Sequence, residues 1–317
     1  MRKILFLCAL CASVLTAYAV DGELSGRFTI NSKGDQVSFS QGNLHYHCKD
    51  NMWSFGYPQY YVIGSDNSKV APDYDGAIDI FCWGTGDNPT LFSDESVDYL
   101  KFTDWGTNAI ENGGQTADYW RTMTADEWEY LLTKRPNATK LVAFGTVNAV
   151  NGIFILPDDW TPPFGYAEVK SAEDIYLGET STSYKDPDNN KNHFEDNTFT
   201  HDQWQSDMEP AGAVFLPAAG WFDSSIRSVY ATGAYWSSTG SEAYATCLWF
   251  QSFYLFPHMG AQTKQGACVR LVHDLETNSA VDNINAISES YVKRVVNGQL
   301  FILRDGKTYN LLGAEVR

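Results

Sequence analysis

The side chains best suited to redox or metal chemistry are four of the six cysteines, Cys48, Cys82, Cys247 and Cys268, because Cys8 and Cys11 lie in an N-terminal stretch typical of a signal peptide. A soft metal needs paired thiolates to hold it, and the sequence places no second cysteine close to Cys268 near the end of the chain. In an exported protein an even number of cysteines instead suggests disulfides, and four cysteines allow three pairings.

Two of these cysteines are predicted to form a bridge. Cys247 and Cys268 lie on β-type runs that we expect to be joined around residues 257–260. If the two face each other across an antiparallel pair, their Cα atoms fall within disulfide distance. The sequence therefore predicts Cys247–Cys268, which leaves Cys48 to pair with Cys82.

A second cluster of potential ligands is His45, His47 and Cys48. On a strand, residues 45 and 47 share one face while residue 48 points to the other. The three side chains cannot converge on one ion by themselves, so a half-buried strand is the favoured interpretation.

An acidic stretch begins with the ligand spacing of a calcium-binding loop, and its weak candidate ligands are Asp186, Asp188 and Asn190. Lys191 stands where the turn glycine of such a loop belongs, and Asn197 stands where its bidentate glutamate belongs. The favoured interpretation of this stretch is therefore a solvated acidic loop. The sequence predicts no cofactor, with calcium at these residues as the weak alternative.

A helix with complete start signals should organise the fold around these residues. Thr124 is placed to cap the first turn, and Glu127 is placed to complete a capping box. Met123 and Trp128 have the spacing of a hydrophobic staple. The helix is predicted to end at residues 134–136, which are Lys, Arg and Pro.

The helix motif W-R-T-x-T-x-x-E-W-E-Y-L (residues 120–131) resembles a helix of the formylglycine-generating enzyme and C-type-lectin-like superfamily. Five more stretches follow the same pattern: F-S-Q-G-N-L (39–44), G-I-F-I-L-P-D-D-W (152–160), G-A-V-F-L-P-A-A-G (212–220), G-A-Y-W-S-S-T (233–239) and G-A-C-V-R-L-V (266–272). Together they resemble exported proteins of the Fibrobacter succinogenes major paralogous domain type, found in Bacteroidetes-type gut bacteria. The resemblance covers roughly residues 26–272.

This resemblance implies a C-type-lectin-like fold, with small antiparallel sheets, one or two helices and long loops. Domains of that fold commonly carry a disulfide near Cys247 and Cys268. Formylglycine-generating enzymes bind copper through two closely spaced cysteines, a pair that this sequence lacks. The E-P-N and W-N-D signatures of calcium-dependent lectins are also missing.

Composition and the N-terminus predict an exported protein. Residues 1–19 combine a basic start, a short apolar run and an A-x-A site, which is typical of a signal peptide. Its removal leaves 20 basic against 39 acidic residues, from 22 basic residues less Arg2 and Lys3. So acidic a surface disfavours nucleic acid and anionic membranes as partners. No segment has the length of a transmembrane helix.

We expect an α+β domain at residues 20–273, a polar linker at 274–290 and a small β-hairpin module at 291–317. Asn297-Gly298 and Asp305-Gly306 are strong hairpin signals within that module. The tail resembles C-terminal modules of exported Bacteroidetes-type proteins, which suggests a sorting or anchoring role.

The binding surface is predicted on the long irregular region at residues 160–200 and the adjoining turn at 221–223, since long loops meet ligands in this superfamily. Aromatic rings there can stack on sugars or anchor a protein partner. The candidate ligand-binding residues are Trp160, Phe164, Tyr166, Tyr176, Tyr184 and Trp221. The alternative is that these rings fold back onto the domain.

The sequence thus predicts an exported, non-catalytic binding or adhesion protein at the cell surface, in the medium or in the periplasm. Its expected ligand is a glycan or an extracellular protein. The alternatives are a formylglycine-generating-type oxidase and a structural cell-surface protein.

Overall fold

The structure is a computed structural model that describes residues 21–90, 101–163, 165–166, 169–175, 184–185, 191–241 and 243–275, and four strand segments between 291 and 316. Contacts between Cα atoms divide the chain into two units, Met1–Leu275 and Glu276–Arg317. The predicted signal peptide and residues 276–290 of the predicted linker lie outside the described residues.

The first unit consists mainly of short strands. In chain order they are β1 (Phe28–Thr29), β2 (Gln36–Phe39), β3 (Leu44–His47), β4 (Met52–Phe55), β5 (Ala77–Ile78), β6 (Phe81–Cys82), β7 (Val142–Val147), β8 (Val150–Ile155), β9 (Tyr184–Lys185), β10 (Thr198–Phe199), β11 (Val214–Pro217), β12 (Trp221–Phe222), β13 (Ile226–Arg227), β14 (Thr232–Ser241), β15 (Tyr244–Gln251), β16 (Tyr254–Gln262), β17 (Gly266–Ala267) and β18 (Val272–Leu275).

The helices of this unit are short. The two α-helices are α1 (Ala125–Glu129) and α2 (His201–Gln203), and they continue as the π-helical segments Tyr130–Lys134 and Trp204–Met208. The described 3-10 helices are Gly64–Lys69, Trp105–Thr107, Ala138–Lys140, Ala172–Ile175 and His193–Glu195.

Within the described residues of this unit, the strands form five sheets: β1-β2-β18, β4-β3-β5, β10-β7-β8-β11, β13-β12-β17-β6 and β14-β15-β16-β9. All pairs in these sheets are antiparallel except β10 with β7. The predicted α+β class, with small antiparallel sheets and few helices, is confirmed.

The last strand of the unit returns to its first hairpin. β18 pairs with β2, with Val272 opposite Phe39. β18 ends at Leu275, so the domain runs two residues into the stretch predicted as linker. The pairing gives the short β1–β2 hairpin a third strand, which an isolated hairpin needs for stability in water.

The predicted start of α1 is confirmed. The Thr124 hydroxyl accepts a hydrogen bond from the Glu127 backbone N–H at 3.2 Å, and the Glu127 carboxylate accepts one from the Thr124 N–H at 2.7 Å. Met123 and Trp128 are both fully buried. The helical stretch ends at Lys134, with Arg135 as its C-cap immediately before Pro136, within the end predicted at residues 134–136.

The hairpin of β15 and β16 differs from the prediction. The sequence predicts one long β run at residues 245–256, followed by a turn at 257–260. In the structure the chain turns at Ser252 and Phe253, and residues 257–260 lie inside β16. Neither turn residue is a Gly, Asn or Asp, so the usual sequence signal for a two-residue turn is missing.

Arg270, in the motif at residues 266–272, is buried and forms hydrogen bonds to segments that are far apart in sequence. Its guanidinium donates to Gln59 Oε1 at 2.7 Å, to the Phe215 carbonyl at 3.0 Å and to Asn43 Oδ1 at 3.3 Å. Burial lowers the pKa of Arg270 to about 10. The contacts make Arg270 a structural residue of the core rather than a ligand contact.

The second unit, taken by itself, is a four-stranded antiparallel meander of β19 (Tyr291–Val296), β20 (Gln299–Arg304), β21 (Lys307–Tyr309) and β22 (Glu315–Val316). The turn residues that predicted its hairpins, Asn297-Gly298 and Asp305-Gly306, lie outside the described residues. Across the described part of the chain, no helix has the length and hydrophobicity needed to cross a bilayer.

Candidate functional site

A cavity of about 410 Å³ opens beside Trp160 at one end of the β7–β8 pair. Its wall combines an indole ring with neutral polar groups and charges of both signs. The lining residues, which define the Trp160 cavity, are Asn137, Lys140, Leu141, Leu156, Asp158, Trp160, Pro162, Val169, Ser171 and Glu173. The volume lies within the range of small-ligand sites.

One rim of the cavity is built where the α1 helical stretch ends. Asn137 follows Pro136 and has a φ of 59°, a left-handed conformation that Asn adopts more readily than most residues. This turn leads into the 3-10 helix Ala138–Lys140 and brings Lys140 to the rim. Behind it, the Leu156 N–H donates to the Leu141 carbonyl at 2.9 Å and closes the floor.

The opposite rim is held against β7 by Asn197. Its side-chain N–H groups donate to the Phe144 carbonyl at 2.7 Å and the Lys170 carbonyl at 2.9 Å, while its Oδ1 accepts from the Lys170 N–H at 2.9 Å. Ser171 then forms a β-bridge with Ala143. Asn197 is thus a clamp for the loop, and its side chain is not available as the last calcium ligand of the predicted loop.

Asp196 adds an ionic anchor beside this clamp. His193 Nδ1 lies 2.6 Å from its carboxylate, and Lys170 and Lys191 lie at 3.0 and 3.2 Å. Burial alone would raise the pKa of Asp196, but the bonds from His193, Lys170 and Lys191 outweigh it and hold that pKa below its usual value. The carboxylate is therefore charged at neutral pH and fixes the chain that leads into β10.

Asp158 lines the cavity but is held by the fold. One oxygen accepts from the buried Arg135 guanidinium at 2.9 Å. The other accepts from the Thr29 N–H at 2.8 Å, the Thr29 hydroxyl at 2.7 Å and Gln36 Nε2 at 3.0 Å. Asp158 thereby joins the end of the α1 stretch to the β1–β2 hairpin, and it shapes the wall rather than offering a free carboxylate.

Of the six rings predicted to bind ligand, Trp160 lines the cavity. Tyr166 packs against the core, with its ring 6.1 Å from that of Phe199 and its hydroxyl donating to Asp207 at 2.7 Å. Trp221 lies on β12 and packs on a different hydrophobic cluster, against Trp249 at 5.1 Å. Trp160 and Tyr166 thus pack on one hydrophobic cluster and Trp221 on another, and the ligand-binding role of these rings stays a prediction.

The remaining predicted site residues are only partly described. Phe164 and Tyr176 lie outside the described residues, as do the candidate calcium ligands Asp186, Asp188 and Asn190. Tyr184 is described through its backbone, which forms β9 and pairs with Leu255.

The predicted Cys247–Cys268 bridge is not formed. Cys247 pairs with Trp236 on one side of β14, whereas Cys268 is hydrogen-bonded to the other side of β14 at Ala234 and Trp236. An intervening strand places the two chains about 9–10 Å apart, beyond the reach of a disulfide. The reason is the earlier turn at Ser252, which makes β16 rather than the Cys268 segment the neighbour of β15.

The second predicted bridge is also not formed. The Cys82 thiol donates to the Lys264 carbonyl at 3.4 Å, and the Cys48 thiol faces the Tyr46 carbonyl at 4.0 Å. Burial raises the pKa of Cys247 to about 12 and raises that of Cys268 well above its usual value. Buried thiols of this kind are poor nucleophiles and poor metal ligands, because both roles need the thiolate.

His45 and His47 line one face of β3, as predicted, but three of the four residues of this strand are buried, so that it is not half-buried. His47 Nε2 lies 2.9 Å from the Ser54 hydroxyl, while His45 is buried and its Nε2 has no hydrogen-bond partner among the described residues. Burial, with a smaller contribution from His47, lowers the pKa of His45 to about 3. His45 is therefore neutral in the folded protein throughout the physiological pH range.

This lowered pKa predicts acid sensitivity. Below about pH 6.5, the ordinary pKa of histidine, His45 is protonated in the unfolded chain but stays neutral in the folded protein. Protonation therefore stabilises the unfolded state, and the free energy of unfolding decreases as the pH falls from about 6.5 toward 3. Between pH 7 and pH 5 the wild type should lose ~2 kcal/mol more than His45→Leu.

The comparison with His45→Leu, by urea unfolding at the two pH values, also cancels the opposite contribution of Asp79. Burial raises the pKa of Asp79 to about 6, so its ionisation destabilises the fold as the pH rises. Equal losses in the wild type and in His45→Leu would contradict a neutral, buried His45.

Among the described residues, one group has the spacing of a metal site: Asp126, Glu129 and His258, with ligand atoms within 4.8 Å of one another. Two of its three groups already have partners. Lys134 Nζ lies 2.6 Å from the Glu129 carboxylate, and His258 Nε2 lies 2.7 Å from the Ala125 carbonyl. The cluster is better explained as a link between α1 and β16.

The Trp160 cavity can therefore hold a ligand through ring stacking and hydrogen bonds, and it brings together groups that the sequence did not single out, among them Asn137, Lys140, Ser171 and Glu173. Only the P-N turn before Lys140 could have pointed to its rim.

Searches with the chain against protein-family models, curated proteins and solved structures found no match.

Proposed function

We propose that this protein is an exported, non-catalytic binding protein with a C-type-lectin-like fold. It recognises a glycan, and the Trp160 cavity is the binding site. The observation that carries the proposal is the cavity itself, about 410 Å³ in volume and lined by one indole and several polar side chains. The motif resemblance and the signal-peptide pattern support the scaffold and the export.

The composition of the wall favours a hydroxylated ligand. A sugar ring has an apolar face that packs on an aromatic ring and hydroxyls that need donors and acceptors. Trp160 offers the ring, Asn137 and Ser171 offer neutral polar groups, and Lys140 and Glu173 offer charges of opposite sign. A protein partner would more often meet a flatter surface with several aromatic anchors.

The thiols favour binding over the oxidase alternative. Paired thiolates are the ligands that would hold copper, whereas Cys268 is buried and is separated from Cys247 by β14. Burial also keeps both thiols protonated at neutral pH.

A glycan array with the purified mature chain tests the proposal. Trp160→Ala is expected to weaken binding to the recognised glycans by at least about tenfold, because a central aromatic contact often dominates binding. Trp160→Phe, which keeps an aromatic face, should retain part of the binding. Tyr244→Ala is the matched control, since Tyr244 is an exposed aromatic residue that does not line the cavity.

Thermal melts of the three variants should first show that each is folded. Unchanged glycan binding by a folded Trp160→Ala would reject the site. Specific binding to extracellular proteins, without binding to any glycan, would reject the ligand class.

A further inference from the structure

A second cavity, of about 350 Å³, lies between β3 and the 3-10 helix Gly64–Lys69. Its lining side chains include His45, His47, Tyr61, Ile63, Asp66 and Tyr74, and these define the His45 cavity. None of these residues lines the Trp160 cavity. The two cavities therefore offer separate sites.

His45 is the most unusual residue of this wall. Its side chain is 6% exposed, yet its Nε2 has no hydrogen-bond partner among the described residues. That nitrogen lies against Gly56, where a Cβ would come within 2.5 Å of it, and Gly56 is not among the residues that line the cavity. The ring of His45 therefore forms part of the wall, and its Nε2 is turned away from the opening.

Aromatic faces surround the same opening. The rings of His45 and Tyr61 lie 5.5 Å apart, and 49% of Tyr61 is exposed. Tyr74 contributes a second phenol ring, and a half-exposed Tyr61 supplies a flat surface at the mouth. Such faces attract both the apolar side of a sugar ring and a positive charge.

The charge of the wall distinguishes between these two kinds of ligand. Asp66 contributes a carboxylate, and neither Lys nor Arg is among the residues that line the cavity. Lys69 lies 2.9 Å from Asp66, but both side chains are about half exposed, and an ion pair of that kind is weak. Because the pKa of His45 is about 3, its imidazole does not repel a cation.

We propose that the His45 cavity binds a hexopyranose that carries a free amino group. The ammonium group lies against the Asp66 carboxylate and the tyrosine rings, and the apolar face of the sugar packs on Tyr61. The exposed face of Tyr61 at the mouth favours a sugar ring, because the apolar side of such a ring packs on an aromatic face. This site is independent of the function proposed for the Trp160 cavity.

The test is a titration of the mature chain, monitored by ligand-observed NMR. The probes are D-glucosamine, D-glucose, N-acetyl-D-glucosamine and Nα-acetyl-L-lysine methylamide. At about pH 6.5 a free amine is largely protonated. Glucosamine should bind about tenfold more tightly than the two neutral sugars, as expected for a cation held by a carboxylate and aromatic faces.

Variants assign the effect to this cavity. Asp66→Asn should reduce the preference for glucosamine to about threefold, the part that the aromatic faces supply, whereas Asp73→Asn, an exposed carboxylate outside the lining, should leave it unchanged. Tyr61→Ala should weaken all sugars, and Trp160→Ala should leave the preference intact.

Equal binding of glucose and glucosamine would overturn the proposal, and so would failure of every probe to bind. Tighter binding of the lysine derivative would assign the cavity to a basic protein segment instead. Loss of the preference in Trp160→Ala would place the amino sugar in the other cavity.

Discussion

Replacing Trp128 with alanine should lower the free energy of unfolding by ~3–5 kcal/mol, the usual cost of removing a fully buried tryptophan. Trp128 is completely buried on α1 and lies 5.9 Å from the ring of Phe39, so it joins the capped helix to the β1-β2-β18 sheet. Small shifts of the neighbouring side chains cannot fill the cavity that the loss of an indole leaves. Urea unfolding of the purified mature chain measures the effect.

Trp128→Phe is the matched control for this prediction. The indole N–H of Trp128 has no hydrogen-bond partner among the described residues, so replacing it with phenylalanine removes volume without removing a hydrogen bond. Its cost should be well below that of Trp128→Ala. An unchanged unfolding midpoint in Trp128→Ala would show that α1 is not a central element of the fold.

A second large effect is expected at Asp158, whose side chain is 26% exposed but pairs with a fully buried Arg135, so that alanine should cost ~2–3 kcal/mol. The substitution removes the carboxylate that pairs with the buried Arg135 guanidinium and also takes an acceptor from the Thr29 N–H. A buried charge that loses its counter-charge is among the most destabilising changes in a protein interior. Thermal and urea unfolding at neutral pH are the measurements.

Asp159→Ala is the neighbouring control. Asp159 is exposed, and its replacement should change stability by no more than ~0.5 kcal/mol. Similar losses for the two variants would mean that the pairing of Asp158 with Arg135 contributes little, and the wall of the Trp160 cavity would then lack the support assigned to it.

Local features of the fold were predictable from the sequence, because their causes lie within a few residues. The Thr124–Glu127 capping box depends on hydrogen bonds between residues three apart, and the stop before Pro136 depends on the backbone limits that proline sets. Such features survive in almost any tertiary context.

Features set by distant contacts were not predictable in this way. The turn at Ser252-Phe253 has no Gly or Asn signal, and its position decides which strand lies beside Cys247. The buried Arg270 meets Gln59 and Phe215, which are 211 and 55 residues away in sequence. No short-range rule connects these residues, so the disulfide prediction failed where the topology was decisive.

The candidate site divides along the same line. Trp160 was predicted because an aromatic residue beside a long loop is a recognisable signal, and it does line a cavity. Tyr166 and Trp221 carry the same signal but are used for packing. Lys140 and Ser171 reach the cavity only through the Asn137 turn and the Asn197 clamp, whose partners the sequence does not reveal.

Amide hydrogen exchange, with and without a saturating concentration of the glycan that binds best on the array, tests the central claim most directly. Ligand should slow exchange in peptides that cover residues 137–141 and 169–173, because those segments carry lining residues from both rims of the Trp160 cavity. Exchange in the β15–β16 hairpin, which does not line the cavity, should be unchanged. Slowed exchange confined to other segments, with no change at the two rims, would contradict the Trp160 cavity as the binding site.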